Sequence, residues 1–137
     1  MYLLDTNIIS EIRRRKPHGA VLAWLRDTPG AAMHLAAITL GELQAGVEKT
    51  RPLDRTKAAE IEAWIDELAA TMKVLPADGP VFRRWAQLMH GRPDELIEDA
   101  MIAATADIHG LLVVTRNTRD FQLLGVKTFN PFEFGKA

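Results

Sequence analysis

Tyr2-Leu3-Leu4-Asp5-Thr6-Asn7-Ile8-Ile9-Ser10-Glu11 opens the chain. Tyr2-Leu3-Leu4 is too short for a helix core but suits a fully buried strand. Asp5, Thr6 and Asn7 then offer three consecutive side chains able to cap a helix, which the pattern carries from Asn7 to about Arg15. A strand that ends on Asp5 and feeds a helix places a carboxylate at the carboxyl end of a sheet strand. In open α/β sheets that rim is where ligands bind. The rest of the chain can be asked whether it brings further carboxylates to the same rim.

Downstream, apolar runs alternate with helical patterns. Met33-His34-Leu35-Ala36 reads as a second strand, with His34 a core or edge residue. Val74-Leu75 reads as a third strand, Leu111–Thr115 as a fourth and Val126–Phe129 as a last one. Between them lie a short helix around Val21–Leu25, one opened by Thr39, and one capped by Asp54 that carries the stripe Ile61, Trp64, Ile65, Leu68, Met72. Another is capped by Asp78, with Val81, Phe82, Trp85, Leu88 and Met89 inward. A last one runs from Asp94 to about His109, with Ile97, Met101, Ala104 and Ile108 on one face. Strands alternating with helices predict an α/β fold: a central, mostly parallel sheet of about four to five short strands flanked by helices. The 137 residues fit a single domain spanning 1–137.

Apolar residues make up 47% and charged ones 26%, ordinary for a globular protein. With no cysteine, disulfide frameworks, thiolate metal sites and Cys nucleophiles are excluded. No stretch approaches the ~20 apolar residues of a membrane span, and the N-terminus enters a core strand at once. The expectation is a cytoplasmic protein with no signal peptide and no membrane partner. The net charge of -1 announces no global positive field, although an acidic site would mask a basic surface in the total.

Four acids fall where such a sheet could gather them. Asp5 ends the first strand, Glu42 follows the second, Asp120 follows the fourth, and Asp99 lies on the helix that feeds the fourth. Each has a bland reading. Thr39-x-x-Glu42 fits a capping box, and Asn117 with Asp120 has a capping spacing. Asp99 has the weakest one: inside the Asp94–His109 helix, with Ile102 and Ala103 at i+3 and i+4, it has no local salt bridge. Converging carboxylates repel and raise one another's pKa unless a cation compensates. Hard oxygen donors without Cys or paired His point to Mg²⁺, with Mn²⁺ as the alternative, and to phosphoryl chemistry. The run Arg13-Arg14-Arg15-Lys16 reads as a solvated helix end, with a phosphate contact as the other reading.

Leu3-Leu4-Asp5-Thr6-Asn7, Thr39-x-x-Glu42, Asp99-Ala100-x-Ile102-Ala103-Ala104-Thr105-Ala106 and Thr115-Arg116-Asn117-x-x-Asp120-Phe121 resemble the PIN-domain ribonucleases. Among these the chain looks like the VapC toxins of type II toxin–antitoxin modules, including the FitB-like branch. The resemblance covers essentially the whole chain. It implies a single PIN-like domain and an Mg²⁺-dependent endoribonuclease toxin held inactive by a VapB-like antitoxin. It further implies a homodimer that forms a heterotetramer or larger complex with the antitoxin and meets promoter DNA only through it. Carried over by position, Asp5 and Asp99 match the direct metal ligands, Glu42 the third catalytic acid and Asp120 the fourth. Thr6 and Asn7 support Asp5, and Thr115 and Asn117 are the polar residues beside the site. Many members carry an acid where this chain has Asn117, which leaves the role of Asp120 open. Arg13, Arg14, Arg15, Arg116 and Arg119 become candidate RNA contacts, with pairing to the antitoxin or to surface acids as the alternative. Two rival functions stand beside the toxin: a DNA nuclease using the same acids, and a non-catalytic partner in a DNA-binding complex. The partner surface is expected on the early helices around Trp24 and Leu25.

Overall fold

A computed structural model describes residues 1–135. Five strands form one sheet: β1 (Tyr2–Leu4), β2 (Met33–Ala36), β3 (Lys73–Leu75), β4 (Leu112–Val114) and β5 (Thr128–Phe129). Their order is β3-β2-β1-β4-β5 and every pairing is parallel. From β1 the chain first builds outward through β2 to β3. It then crosses back to lay β4 on the other side of β1 (Leu3 opposite Val113, Leu4 opposite Val114). The sheet therefore reverses direction between β1 and β4, and their carboxyl ends border a crevice that no crossover fills.

Helices cover both faces. α1 (Thr6–Ile12) and α2 (Gly19–Asp27) join β1 to β2, and the hairpin of α3 (Ala37–Thr50) with α4 (Arg55–Thr71) joins β2 to β3. α5 (Gly79–Met89) and α6 (Ile97–His109) lead to β4, and α7 (Thr118–Leu123) leads to β5. Strand residues alternate between two cores, as the pleat requires. Leu3, Ala36, Leu75 and Val113 face α5, α6 and α7. Leu4, Leu35 and Val114 face α1, α2 and Phe132. Val47, Ala58 and Ile65 knit α3 to α4 in a smaller cluster. Among the described residues no helix is long and apolar enough to cross a membrane.

α6 is buried from Ala100 to Ala106 without a break. Its four alanines in that stretch let its backbone sit close to both the sheet and α5. Gly110 ends it in the left-handed region at φ 66, its N–H returning to the Ala106 and Asp107 carbonyls.

The structure corrects several expectations. The first helix stops at Ile12, short of the expected Arg15: the Arg14 N–H bonds to the Glu11 carbonyl three residues back and tightens the last turn, and the Glu11 carboxylate accepts from the His18 N–H in the loop that follows. Ile97 and Ile108 are 40% and 44% exposed, because the helix ends project beyond the core, while Met101 and Ala104 of the same expected face are buried. Phe82 is 48% exposed, packing edge-on against Trp85 on the outside of α5. Trp24 is a core residue, set between Tyr2 and Phe129, and Leu25 packs beside it, so these two do not form an open partner surface. His34 is buried, with Nδ1 3.1 Å from the Tyr2 carbonyl, in the core role expected of it.

Candidate active site

β1 ends on Leu4, and Asp5 turns the chain into α1 while its N–H still donates to the Val114 carbonyl of β4 at 2.9 Å. This backbone bond fixes Asp5 at the crevice between the two strands. Asp5 is 5% exposed, and each of its carboxylate oxygens accepts one hydrogen bond. Oδ1 accepts from the Thr6 N–H at 2.7 Å, and Oδ2 accepts from the Thr115 hydroxyl at 2.7 Å. Thr115 Oγ1 in turn accepts from the Asn117 N–H at 2.9 Å and lies 3.4 Å from Asn7 Nδ2. One buried hydroxyl thus ties the β1 exit to the β4 exit.

Glu42 reaches the same place from α3. The capping-box reading fails, because α3 starts at Ala37 and places Thr39 and Glu42 inside its first turns, with no side chain at its cap. Thr6 Oγ1 is 2.9 Å from Glu42 Oε1 and 3.2 Å from Thr39 Oγ1. A hydroxyl has one hydrogen. Thr6 donates it to the carboxylate and takes its second bond from Thr39.

Asp99 sits lower on its helix than the sequence pattern suggests. The Asp94–His109 stretch splits into a single 3₁₀ turn, Asp94–Leu96, and α6 proper, so Asp99 stands in the first turn of α6. The helix dipole favours an acid there. Asn117 does not cap α7 with its side chain. Its Nδ2 instead bridges two carboxylates, donating to Asp99 Oδ2 at 3.2 Å and Asp120 Oδ2 at 2.9 Å. Carboxylates only accept, which fixes the amide orientation.

Asp5, Thr6, Asn7, Glu42, Asp99 and Asn117 line one cleft of about 540 Å³. Asp120 stands behind it, joined through Asn117. Of the candidate arginines, Arg14 and Arg116 line the cleft. Arg13 lies over the Trp64 ring at 5.7 Å, and neither Arg15 nor Arg119 belongs to the wall. Ser10, Glu11 and Phe132 do belong to it, and sequence reading missed all three. Glu11 carried a signal, since a carboxylate one turn after Ile8 faces the same way as the core residues Ile8 and Ile9.

The acids load one another electrostatically. Burial raises the pKa of Asp5, against the lowering effect of the Thr115 and Thr6 bonds. Burial also raises Glu42, opposed by Thr6 and helped by the charges of Glu98 and Asp5. Asp99 is pushed up to about 6 by burial and then by the charges of Asp5, Asp120, Glu42 and Glu98. Among the described residues no cationic side chain pairs with Asp5, Glu42, Asp99 or Asp120. This is uncompensated negative charge, and a cation is its natural counterpart. No three acidic or imidazole side chains among the described residues are grouped to enclose an ion by themselves.

A parallel sheet with unpaired carboxylates at its reversal point defines the class first: an α/β protein with an acidic, cation-seeking site. The PIN domain family model matches residues 2–127, and the chain belongs to that family. It is similar to the VapC ribonuclease Y4jK of Sinorhizobium fredii, 36% identical over 97% of this chain and 99% of that protein. The crystal structure of FitAcB from Neisseria gonorrhoeae superposes with a TM-score of 0.86 at 36% identity, covering 98% of this chain and 100% of that one. A toxin–antitoxin complex from Klebsiella pneumoniae matches with a TM-score of 0.64 at 27% identity, over 96% and 98% of the two chains.

Proposed function

We propose that this chain is a metal-dependent endoribonuclease, the toxin of a type II toxin–antitoxin pair, inhibited by a VapB-like antitoxin. The observation that carries the reading is the gathering of Asp5, Glu42 and Asp99 from three elements into one cleft, with raised pKa values and, among the described residues, no cationic side chain paired with them. Near-full-length likeness to a protein named a ribonuclease supports the reaction class. Likeness to a toxin–antitoxin complex supports the partner. In this reading the chain acts in the cytoplasm as one domain, pairs with a second copy, and meets promoter DNA only through the antitoxin.

Asp5 and Asp99 would hold the metal ion, Mg²⁺ by preference. When bound, such an ion supplies positive charge at the scissile phosphate and lowers the pKa of a bound water. The chain's own groups do the rest. Thr115 and the Thr6 N–H fix both oxygens of Asp5, so its carboxylate cannot rotate away. Asn117 aims Asp99 and links it to Asp120, which adds negative charge without entering the cleft. Glu42 Oε1 is occupied by Thr6; its Oε2 has no such bond and would take a proton from the water whose oxygen bonds to phosphorus, while the P–O ester bond breaks and the departing oxygen takes a proton from solvent. Arg14 and Arg116 neutralise the phosphates that flank the cut.

The test is cleavage of a mixed RNA pool by antitoxin-free protein with Mg²⁺, Mn²⁺ or EDTA, beside Asp5→Asn and a single-stranded DNA pool. Fragments should appear with either metal, vanish with EDTA and in the variant, and be absent from the DNA. Equal cutting of DNA would make the protein a general nuclease. Persistent RNA cutting by Asp5→Asn would remove Asp5 from the site.

A further inference from the structure

One wall of the cleft is made by residues that the carboxylate chemistry leaves unused. Glu11 is 6% exposed and lies in the cleft wall, yet it belongs to none of the acid pairs around Asp99. Its Oε1 accepts from Arg14 Nη1 at 3.3 Å, and its Oε2 accepts from the His18 N–H at 3.1 Å. The His18 ring packs on Phe132 with centroids 5.0 Å apart, and the Arg116 guanidinium lies over Phe132, 4.3 Å from the ring centre. Phe132 is itself anchored by its N–H, which donates to Asn130 Oδ1 at 3.0 Å. Glu11, His18 and Phe132 therefore form one continuous support behind two arginines.

Both arginines are held in ways that spare their donors. Arg116 is held by a cation–π contact, which uses none of its five N–H donors as hydrogen bonds to protein acceptors. Arg14 gives one N–H to Glu11, and its side chain is otherwise 68% exposed. A long cationic side chain loses much rotamer freedom when it grips a ligand. Holding it in place beforehand lowers that loss and tightens binding. Both arginines line the cleft that also contains Asp5 and Asp99, where a purely structural ion pair would have no need to stand.

We propose that Glu11 and Phe132 are positioning residues: they preset Arg14 and Arg116 as a two-point clamp for the backbone phosphates of a single-stranded RNA. The inference deepens the ribonuclease reading and rests on it for the identity of the ligand. Two contacts on one wall fix the strand's path past the carboxylates, which gives register without reading sequence. The clamp acts on binding, so its loss appears in KM and in salt dependence, while kcat is set by the acids.

Two double-mutant cycles test this, read by KM and kcat for RNA cleavage with Mg²⁺. They are also read by the affinity of a fluorescein-labelled single-stranded RNA of mixed sequence in EDTA. Glu11→Gln keeps an acceptor for the His18 N–H and removes the charge that holds Arg14. Phe132→Leu keeps an apolar filler and removes the ring under Arg116. Each should raise KM and Kd by about three- to tenfold with kcat nearly unchanged, the size expected for one weakened phosphate contact. In the Arg14→Ala background Glu11→Gln should have no further effect, and in the Arg116→Ala background Phe132→Leu should have none. Equal losses in both backgrounds, or a fall in kcat alone, would overturn the proposal. So would unchanged RNA affinity in Arg14→Ala and Arg116→Ala, whose positions are exposed and do not carry the fold. The two cycles are independent, so one core variant that fails to fold leaves the other to decide. If the wild-type protein binds RNA through these arginines but never cuts it, the ribonuclease reading fails and the clamp stands.

Discussion

At the scale of single residues, the site depends on three small polar side chains as much as on its acids. Thr115 closes a bond between two strand ends, Thr6 carries α3's Glu42 to α1, and Asn117 holds two carboxylates that would otherwise repel. The acids themselves oppose folding when no metal is present. The folded-state pKa of Asp99 is about 6, above its ordinary 3.8, so the native protein binds its proton more tightly than the unfolded chain does. By linkage, stability falls as pH rises from about 4 to about 6, and the loss is complete at neutral pH. In EDTA, Asp99→Asn should therefore stabilise the protein at pH 7 by roughly 1 kcal/mol, discounted because Asp99 is partly solvated. The gain should vanish near pH 4. Urea unfolding of both proteins at the two pH values checks this; a variant less stable at pH 7 would mean that Asp99 is held by more than Asn117. The same substitution should abolish metal-dependent cleavage, which separates a functional carboxylate from a structural one.

At the scale of elements, α6 determines where Asp99 and β4 come to rest, because it is wedged between the sheet and α5. Ala103 is fully buried in that wedge, and Ile108, which the sequence pattern places inward, is 44% exposed. Ala103→Leu should cost about 1–3 kcal/mol by overpacking, whereas Ile108→Ala should stay within about 0.5 kcal/mol. Chemical denaturation midpoints distinguish the two, and equal losses would return Ile108 to the core. This contrast also marks what the sequence made legible. The strands were readable from short apolar runs between breakers, and Asp5 at the end of β1 followed directly; their order in the sheet was not. Helix ends were harder. A 3₁₀ turn at Asp94–Leu96 and α6 share one hydrophobic pattern, so Asp99 looked interior when it occupies the first turn. Local spacing also misled at Glu42, where a capping box and a tertiary bond to Thr6 use the same residue types. Tertiary packing, which no spacing encodes, decided between them. It also placed Glu11 and Phe132 in the cleft wall, one a turn after a core face and the other far along the chain near its end.

At the scale of the whole molecule, the order β3-β2-β1-β4-β5 gives a single rim at which chain segments more than a hundred residues apart meet. In the metal-dependent reading proposed above, negative charge concentrated at that rim would make a cation part of the protein's stability as well as its chemistry. Metal that binds the folded chain alone stabilises it in proportion to occupancy, by about 2.7 kcal/mol at a hundred times Kd. For a domain of this size that is a rise in Tm of roughly 10 °C. Protons compete for the same oxygens, so the rise should be full at pH 7.5 and shrink as pH falls through about 6, where Asp99 takes up its proton. Sign and site can be checked together by thermal unfolding with Mg²⁺, Mn²⁺ or EDTA across that range, for the native chain and for Asp5→Asn with Asp99→Asn. The double variant should gain nothing from metal and should start above the native chain in EDTA at neutral pH, since it has lost two mutually repelling charges. A metal-induced rise of equal size in both proteins would place the ion elsewhere on the surface. A native chain whose rise ignores pH would mean that the carboxylates bind metal without first giving up a proton, and the raised pKa of Asp99 would be wrong.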